Sequence, residues 1–123
     1  HIHRAESGYQ AVLKMMADNK GNEPTAIFAA NDLLAFGAMR GLKELGLKIP
    51  QDISIIGYDN AELSQYMSPP LTTVQVSVEK IARMTVDSLL LVIRKKEAIP
   101  VYSQLKEFTL MERGSVAPVK TPG

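Results

Sequence analysis

The chain has 123 residues, enough for one domain with a real core and too few for two. Hydrophobic residues make up 46% and charged residues 22%, with a net charge of +1. No basic run could track a phosphate backbone, so nucleic-acid binding by these residues alone is not expected. The absence of cysteine excludes disulfides and thiolate metal sites. The longest apolar run, Leu89 to Ile93, falls far below the ~20 residues of a membrane span, and no secretion signal is visible. A chain that begins with His1 rather than Met is expected to be a fragment or a processed product.

Arg4 to Asn19 carries Tyr9, Val12, Leu13, Met15 and Met16 in one stripe, which predicts a helix lying on a sheet face and ended by Lys20-Gly21-Asn22. Thr25 to Ala30 is an apolar run too short for a helix and bounded by Pro24, so it predicts a buried strand with Phe28 in the core. Asn31 is placed to cap a helix from Asp32 to about Leu45. Asp32 favours the first turn of that helix through its dipole. The predicted apolar face uses Leu33, Leu34, Phe36, Met39, Leu42 and Leu45, and Gly46 stands where a left-handed cap belongs. Gly37 and Gly41 would permit close helix–sheet or helix–helix approach.

Asp52 to Tyr58 predicts a second strand, which completes a βαβ unit with parallel strands. Parallelism places Asn31 and Asp59 at one edge of the sheet, where open α/β folds hold ligands. Ala61 to Ser68 is a loop or short helical turn closed by Pro69-Pro70, and Leu71 to Val76 is a third strand. Val78 to Lys95 is the longest helical pattern, with Arg94-Lys95-Lys96 at its carboxyl end. Tyr102 to Met111 alternates as a strand, and Gly114 to Gly123 reads as a frayed tail.

Three segments in order, Pro24 to Met39, Gly46 to Asn60 and Pro69 to Val74, resemble the lac-repressor/galactose-repressor family of bacterial transcription regulators. Ser7-Gly8-Tyr9 and Glu112-Arg113-Gly114-Ser115 fit as well, so the resemblance covers nearly the whole chain. It implies an α/β fold of the type I periplasmic-binding-protein kind, with an open parallel sheet, flanking helices and a sugar held between two lobes. Residues 1–76 and 101–116 would form the C-terminal effector-binding lobe. The helix within 77–100 would pack on an N-terminal lobe outside this chain, and 117–123 would be a tail. A helix-turn-helix headpiece that binds operator DNA as a dimer would also lie outside it.

Asp59 has the strongest claim to a ligand. A carboxylate at a strand end can accept two hydrogen bonds from adjacent sugar hydroxyls, each worth about 1.5–3 kcal/mol. The resemblance assigns effector contact to its position; the alternative is a turn residue capping Ala61–Glu62. Asn31 is open between N-cap and effector contact, since one oxygen cannot easily serve both. His3 aligns with an aromatic ring that stacks on the sugar in related repressors. His1 and His3 could also be metal ligands on a strand face, but without a third ligand a frayed terminus accounts for them better. Where many members carry a ligand-contacting glutamine this chain has Val76, with Gln75 one residue earlier and on the opposite face, so either Gln75 reaches the ligand through a local shift or that contact is missing. Phe36, Leu63, Tyr66 and Met67 fall where the family builds its dimer interface; the plainer reading is core for Phe36 and loop anchors for the others.

No catalytic constellation is visible: there is no P-loop, no dinucleotide fingerprint and no His paired with a nucleophile. Together with the resemblance, which implies the effector-sensing and dimerising part of a cytoplasmic transcription regulator, the expectation is a protein that is not an enzyme, with no cofactor and no metal. Expected partners are a sugar or sugar phosphate, a second copy of the chain, and operator DNA through the headpiece only, with no membrane. The alternative is a solute-binding protein of a sugar transporter, which shares the fold.

Overall fold

A computed structural model describes residues 4–95 and 108–119. In chain order the elements are α1 (Ala5–Asp18), β1 (Ala26–Phe28), α2 (Asp32–Glu44), β2 (Ser54–Tyr58), a 3-10 turn (Glu62–Tyr66), β3 (Thr72–Val76), α3 (Val78–Lys95) and β4 (Phe108–Met111). The four strands form one open sheet in the order β1-β2-β3-β4. β1 and β2 run parallel with Phe28 opposite Ile56, and β2 and β3 run parallel with Tyr58 opposite Val74. The predicted βαβ unit and third strand are thus present, within an α/β fold. The chain divides into two units, one of residues up to Gln75 together with Leu110 onward, the other of Val76 to Thr109.

The core of the first unit is Val12, Ala29, Ala35, Ala38, Met39, Leu42, Ile53, Ile55 and Leu71. Fully burying a Leu or Ile side chain is worth about 1.5–3 kcal/mol, so Leu42, Ile53, Ile55 and Leu71 dominate its stabilisation. α1 packs on α2 and α2 on β2. The first contact works through missing side chains. A Cβ added at Gly8 would strike the Leu34 backbone, and one at Gly37 would strike the Ala5 carbonyl. A Cβ at Gly41 would meet Val12 Cγ1 at 2.5 Å. The close approach expected of Gly37 and Gly41 is therefore helix on helix, and Gly8 completes it from α1.

α2 departs from its predicted stripe. Its buried positions include Ala35, Gly37, Ala38, Met39, Gly41 and Leu42, whereas Leu33 and Leu45 are about half exposed. Close approach to α1 selects small residues at the contact and leaves no room there for a leucine. The helix ends as expected. Gly46 has φ +77°, its N–H donates to the Lys43 carbonyl and the Leu47 N–H to the Leu42 carbonyl, both at 3.0 Å, which is a Schellman cap. Phe28 is not core: it is 64% exposed because β1 is an edge strand of the sheet.

Gly114 to Ala117, expected within a frayed tail, is anchored, and residues 120–123 lie outside the described residues. Ser115 is fully buried; its Oγ donates to the Ile55 carbonyl at 2.6 Å and accepts the Thr72 N–H at 2.8 Å. The Ile55 N–H donates to the Ser115 carbonyl at 2.8 Å, and the Ala117 N–H to Ser54 Oγ at 3.1 Å. These bonds tie Gly114 to Ala117 along β2 and the start of β3. In the second unit α3 has the predicted bounds, and Val86, Leu89, Leu90, Leu91 and Ile93 are exposed on it.

Candidate functional site

The parallel register carries three chain segments to one edge of the sheet. β1 continues through Ala29, whose N–H donates to the Ile56 carbonyl at 2.8 Å, to Asn31. β2 delivers Asp59, whose N–H donates to the Val74 carbonyl at 2.9 Å, and the next residue of β3 is the exposed Gln75. Asn31, Asp59 and Gln75 thus stand at the carboxyl ends of neighbouring parallel strands, where such sheets hold ligands. His3 lies outside the described residues.

Asn31 is the N-cap of α2. Its backbone is extended and its Oδ1 accepts the Leu34 N–H at 2.8 Å, so the side-chain amide N–H groups are what it retains for a ligand. Asp59 does not cap the turn that follows it. The Ala61 N–H is taken by Asp32 instead, at 2.7 Å, and the Asp59 carboxylate has no hydrogen-bond partner among the described residues. The backbone of Asp59 has φ +111° and that of Asn60 φ +53°. Asp and Asn visit this region more readily than most residues, yet two such residues in succession cost on the order of 1–3 kcal/mol each and persist only where neighbours hold them. Desolvation by the surrounding chain, followed by the negative charge of Asp32, raises the Asp59 carboxyl above its ordinary value.

The holding groups are the ones sequence reading placed too modestly. Asp32, 1% exposed, accepts three hydrogen bonds: from Ala61 N–H to Oδ2, from Ser64 Oγ to Oδ2 at 2.6 Å, and from Thr73 Oγ1 to Oδ1 at 2.6 Å. It therefore joins the start of α2 to the 3-10 turn and to β3, a larger task than favouring a helix dipole. Gly57 makes room for it, because a Cβ there would collide with Asp32 Oδ1. Arg113 holds the other side of the turn. Its Nη2 donates to Asn60 Oδ1 at 2.7 Å, its Nη1 to the Leu71 carbonyl at 2.8 Å, and its N–H to Thr72 Oγ1 at 2.9 Å. One signal for this network was present in the sequence: Thr72-Thr73, two adjacent hydroxyls at the start of a predicted strand, of which alternation turns at least one toward the core, where it requires a partner.

Of the expected interface residues, Leu63 and Tyr66 stand on the 3-10 turn and are 59% and 71% exposed. Phe36 and Met67 are partly buried against the core. A separate groove of about 470 Å³ lies near the opposite end of the strands, lined by Thr25, Pro50, Gln51, Asp52, Val116 and neighbours. Among the described residues no group of His, Asp and Glu is suited to a metal ion, and no described helix is long and apolar enough to cross a membrane.

Residues 2–116 match the model of a periplasmic binding protein-like domain. The HTH-type transcriptional repressor PurR of Erwinia tasmaniensis is 41% identical over 116 residues, covering 91% of this chain and 32% of the repressor. Among solved structures, a LacI family transcriptional regulator of Enterococcus faecalis with bound ribose aligns with TM-score 0.74 and 41% identity, over 95% of this chain and 42% of that one. The lac repressor dimer bound to operator and the anti-inducer ONPF aligns with TM-score 0.79 and 35% identity, over 94% of this chain and 39% of that one. The chain spans about a third of the length of the curated relatives it matches. It belongs to the periplasmic-binding-protein-like domain family and corresponds to part of the effector domain of the lac-repressor group of transcription regulators.

Proposed function

We propose that the chain is the effector-sensing and dimerising part of a bacterial transcription regulator, and that it does not act as an enzyme. The observation that carries this reading is the Asp59 carboxylate, free of hydrogen-bond partners among the described residues and held in a left-handed backbone at the carboxyl edge of a parallel sheet. An ionised carboxylate there is an acceptor for two adjacent hydroxyls, which is the chemistry of a sugar. Asn31 offers side-chain N–H donors from the same edge, and Gln75 both donors and acceptors. The ribose bound to the Enterococcus faecalis relative is consistent with a polyhydroxylated effector. His3 would contribute a ring to the same ligand, and a sugar phosphate is the finer expectation for its identity.

Leu63 and Tyr66, apolar and exposed ahead of Pro69-Pro70, would lie in the interface with a second copy, with Phe36 and Met67 behind them. α3 would cover its exposed apolar residues with the N-terminal lobe, and operator DNA would be bound by a headpiece beyond this chain. An effector couples to DNA only if it binds one lobe arrangement more tightly than the other, by about 1–3 kcal/mol for typical coupling. A thermal-shift screen of the full-length protein against aldoses, ketoses and their phosphates tests the reading. At least one should raise the melting temperature in a concentration-dependent way; a panel with no effect contradicts a sugar effector.

A further inference from the structure

We propose that Arg113 is a positioning residue for the Asp59 carboxylate, acting through the side-chain amide of Asn60. The inference rests on the reading of Asp59 as an effector contact and adds to it the element that keeps that contact in place. The turn after β2 is held at three successive residues. The Asp59 N–H is bound to the Val74 carbonyl, the Asn60 side chain to Arg113 Nη2, and the Ala61 N–H to Asp32 Oδ2. Only the Asp59 side chain is left unheld among the described residues, so its direction is set by the backbone at Asp59 and Asn60, both at positive φ.

The restraint on Asn60 comes from two side chains of unequal strength. The Asn60 N–H lies 3.3 Å from Thr73 Oγ1, a long bond, whereas the Arg113 bond to its Oδ1 is 2.7 Å and made by a charged donor. Arg113 is itself fixed at both ends, its backbone N–H on Thr72 Oγ1 and its Nη1 on the Leu71 carbonyl. A planar fork that spans two acceptors in fixed directions is something lysine cannot reproduce. Arg113 also sits three residues beyond Leu110, where the chain returns from the unit of Val76–Thr109. The returning segment and the ligand turn therefore share one side chain.

The test uses full-length protein carrying Arg113→Met, Arg113→Lys, Asn60→Gly and the Arg113→Met/Asn60→Gly pair. Hydrogen exchange of the peptide spanning residues 57–62 is measured against that of α2. Arg113→Met should accelerate exchange in this peptide at least tenfold with α2 unchanged, Arg113→Lys nearly as much. The double variant should exchange no faster than the faster single one, because both remove the same contact. Unchanged exchange at 57–62, uniform acceleration through α2, or fully independent effects of the two substitutions would overturn the proposal. Calorimetric titration with D-ribose and the sugars of the thermal-shift panel supplies the second arm. For any sugar that the parent protein binds, Arg113→Met should weaken affinity at least fivefold without that effect persisting in an Asp59→Ala background. An undiminished affinity, or an equal loss with and without Asp59, would overturn the positioning role. If the parent binds none of these sugars, the sugar reading fails, while the exchange arm still decides whether Arg113 holds the turn.

Discussion

Replacing Asp32 tests how much of the site's shape depends on one buried carboxylate. In Asp32→Ala all three acceptor contacts vanish, and the hydroxyls of Ser64 and Thr73, both fully buried, lose their partner along with the Ala61 N–H. A buried donor left unsatisfied costs about 1–3 kcal/mol. Thr73 Oγ1 can still accept from Asn60 N–H, and the Ala61 N–H at the surface of the turn can recruit water, so the sum is expected at about 3–5 kcal/mol. Asp32→Asn is milder. Its oxygen can keep the Ala61 and Ser64 donors while its amide turns toward Thr73, whose hydroxyl can rotate to accept, leaving a loss of about 1–2 kcal/mol. Urea denaturation of the full-length protein, followed by circular dichroism, would measure both. A cost below 1 kcal/mol for Asp32→Ala would refute the assignment of Asp32 as the tie between α2, the 3-10 turn and β3.

Gly37→Ala forces a methyl group into the backbone carbonyl of Ala5 and is expected to cost about 3 kcal/mol in the same denaturation assay, while a loss below 0.5 kcal/mol would contradict the helix contact. Asn31→Ala should lose about 1 kcal/mol of stability through the missing cap and Asn31→Asp almost none, so any fall in effector affinity in the aspartate variant reports the lost amide N–H groups rather than the cap. Asp59→Asn should slightly raise stability in the absence of ligand at pH 7. The folded-state pKa of Asp59 is raised, so its ionised form is disfavoured by folding above that value, and the penalty fades as pH falls toward the unfolded-state carboxylate value. Melting temperatures from pH 7 to pH 3 should therefore converge for the two proteins on the acid side; a difference that widens there contradicts the sign.

The elements were legible in the sequence because apolar periodicity and punctuation agreed: Asn31 caps, Gly46 stops, and β-branched runs become parallel strands. The edge that gathers Asn31 and Asp59 followed from parallelism, and Gln75 joined it only through the family resemblance. What was not legible depends on contacts between distant residues. Asp32 reads as an ordinary first-turn acid until the fold brings Ser64 and Thr73 to it. Arg113 sits in a segment with no periodic signal, and its task exists only because Asn60 lies across from Leu71 and Thr72. Leu33 and Leu45 were misplaced for a different reason. Hydrophobicity gives the period of an element, but the α1–α2 approach through Gly8, Gly37 and Gly41 shifts the buried face toward small residues.

The central claim is that the carboxylate of Asp59 contacts the effector, and calorimetric titration of full-length parent and Asp59→Ala with a sugar from the thermal-shift panel tests it most directly. Loss of even one charge-assisted hydrogen bond worth about 1.5–3 kcal/mol predicts a fall in affinity of roughly 10- to 150-fold or more, with the unliganded melting temperature close to that of the parent. Equal affinity for the two folded proteins would contradict the account.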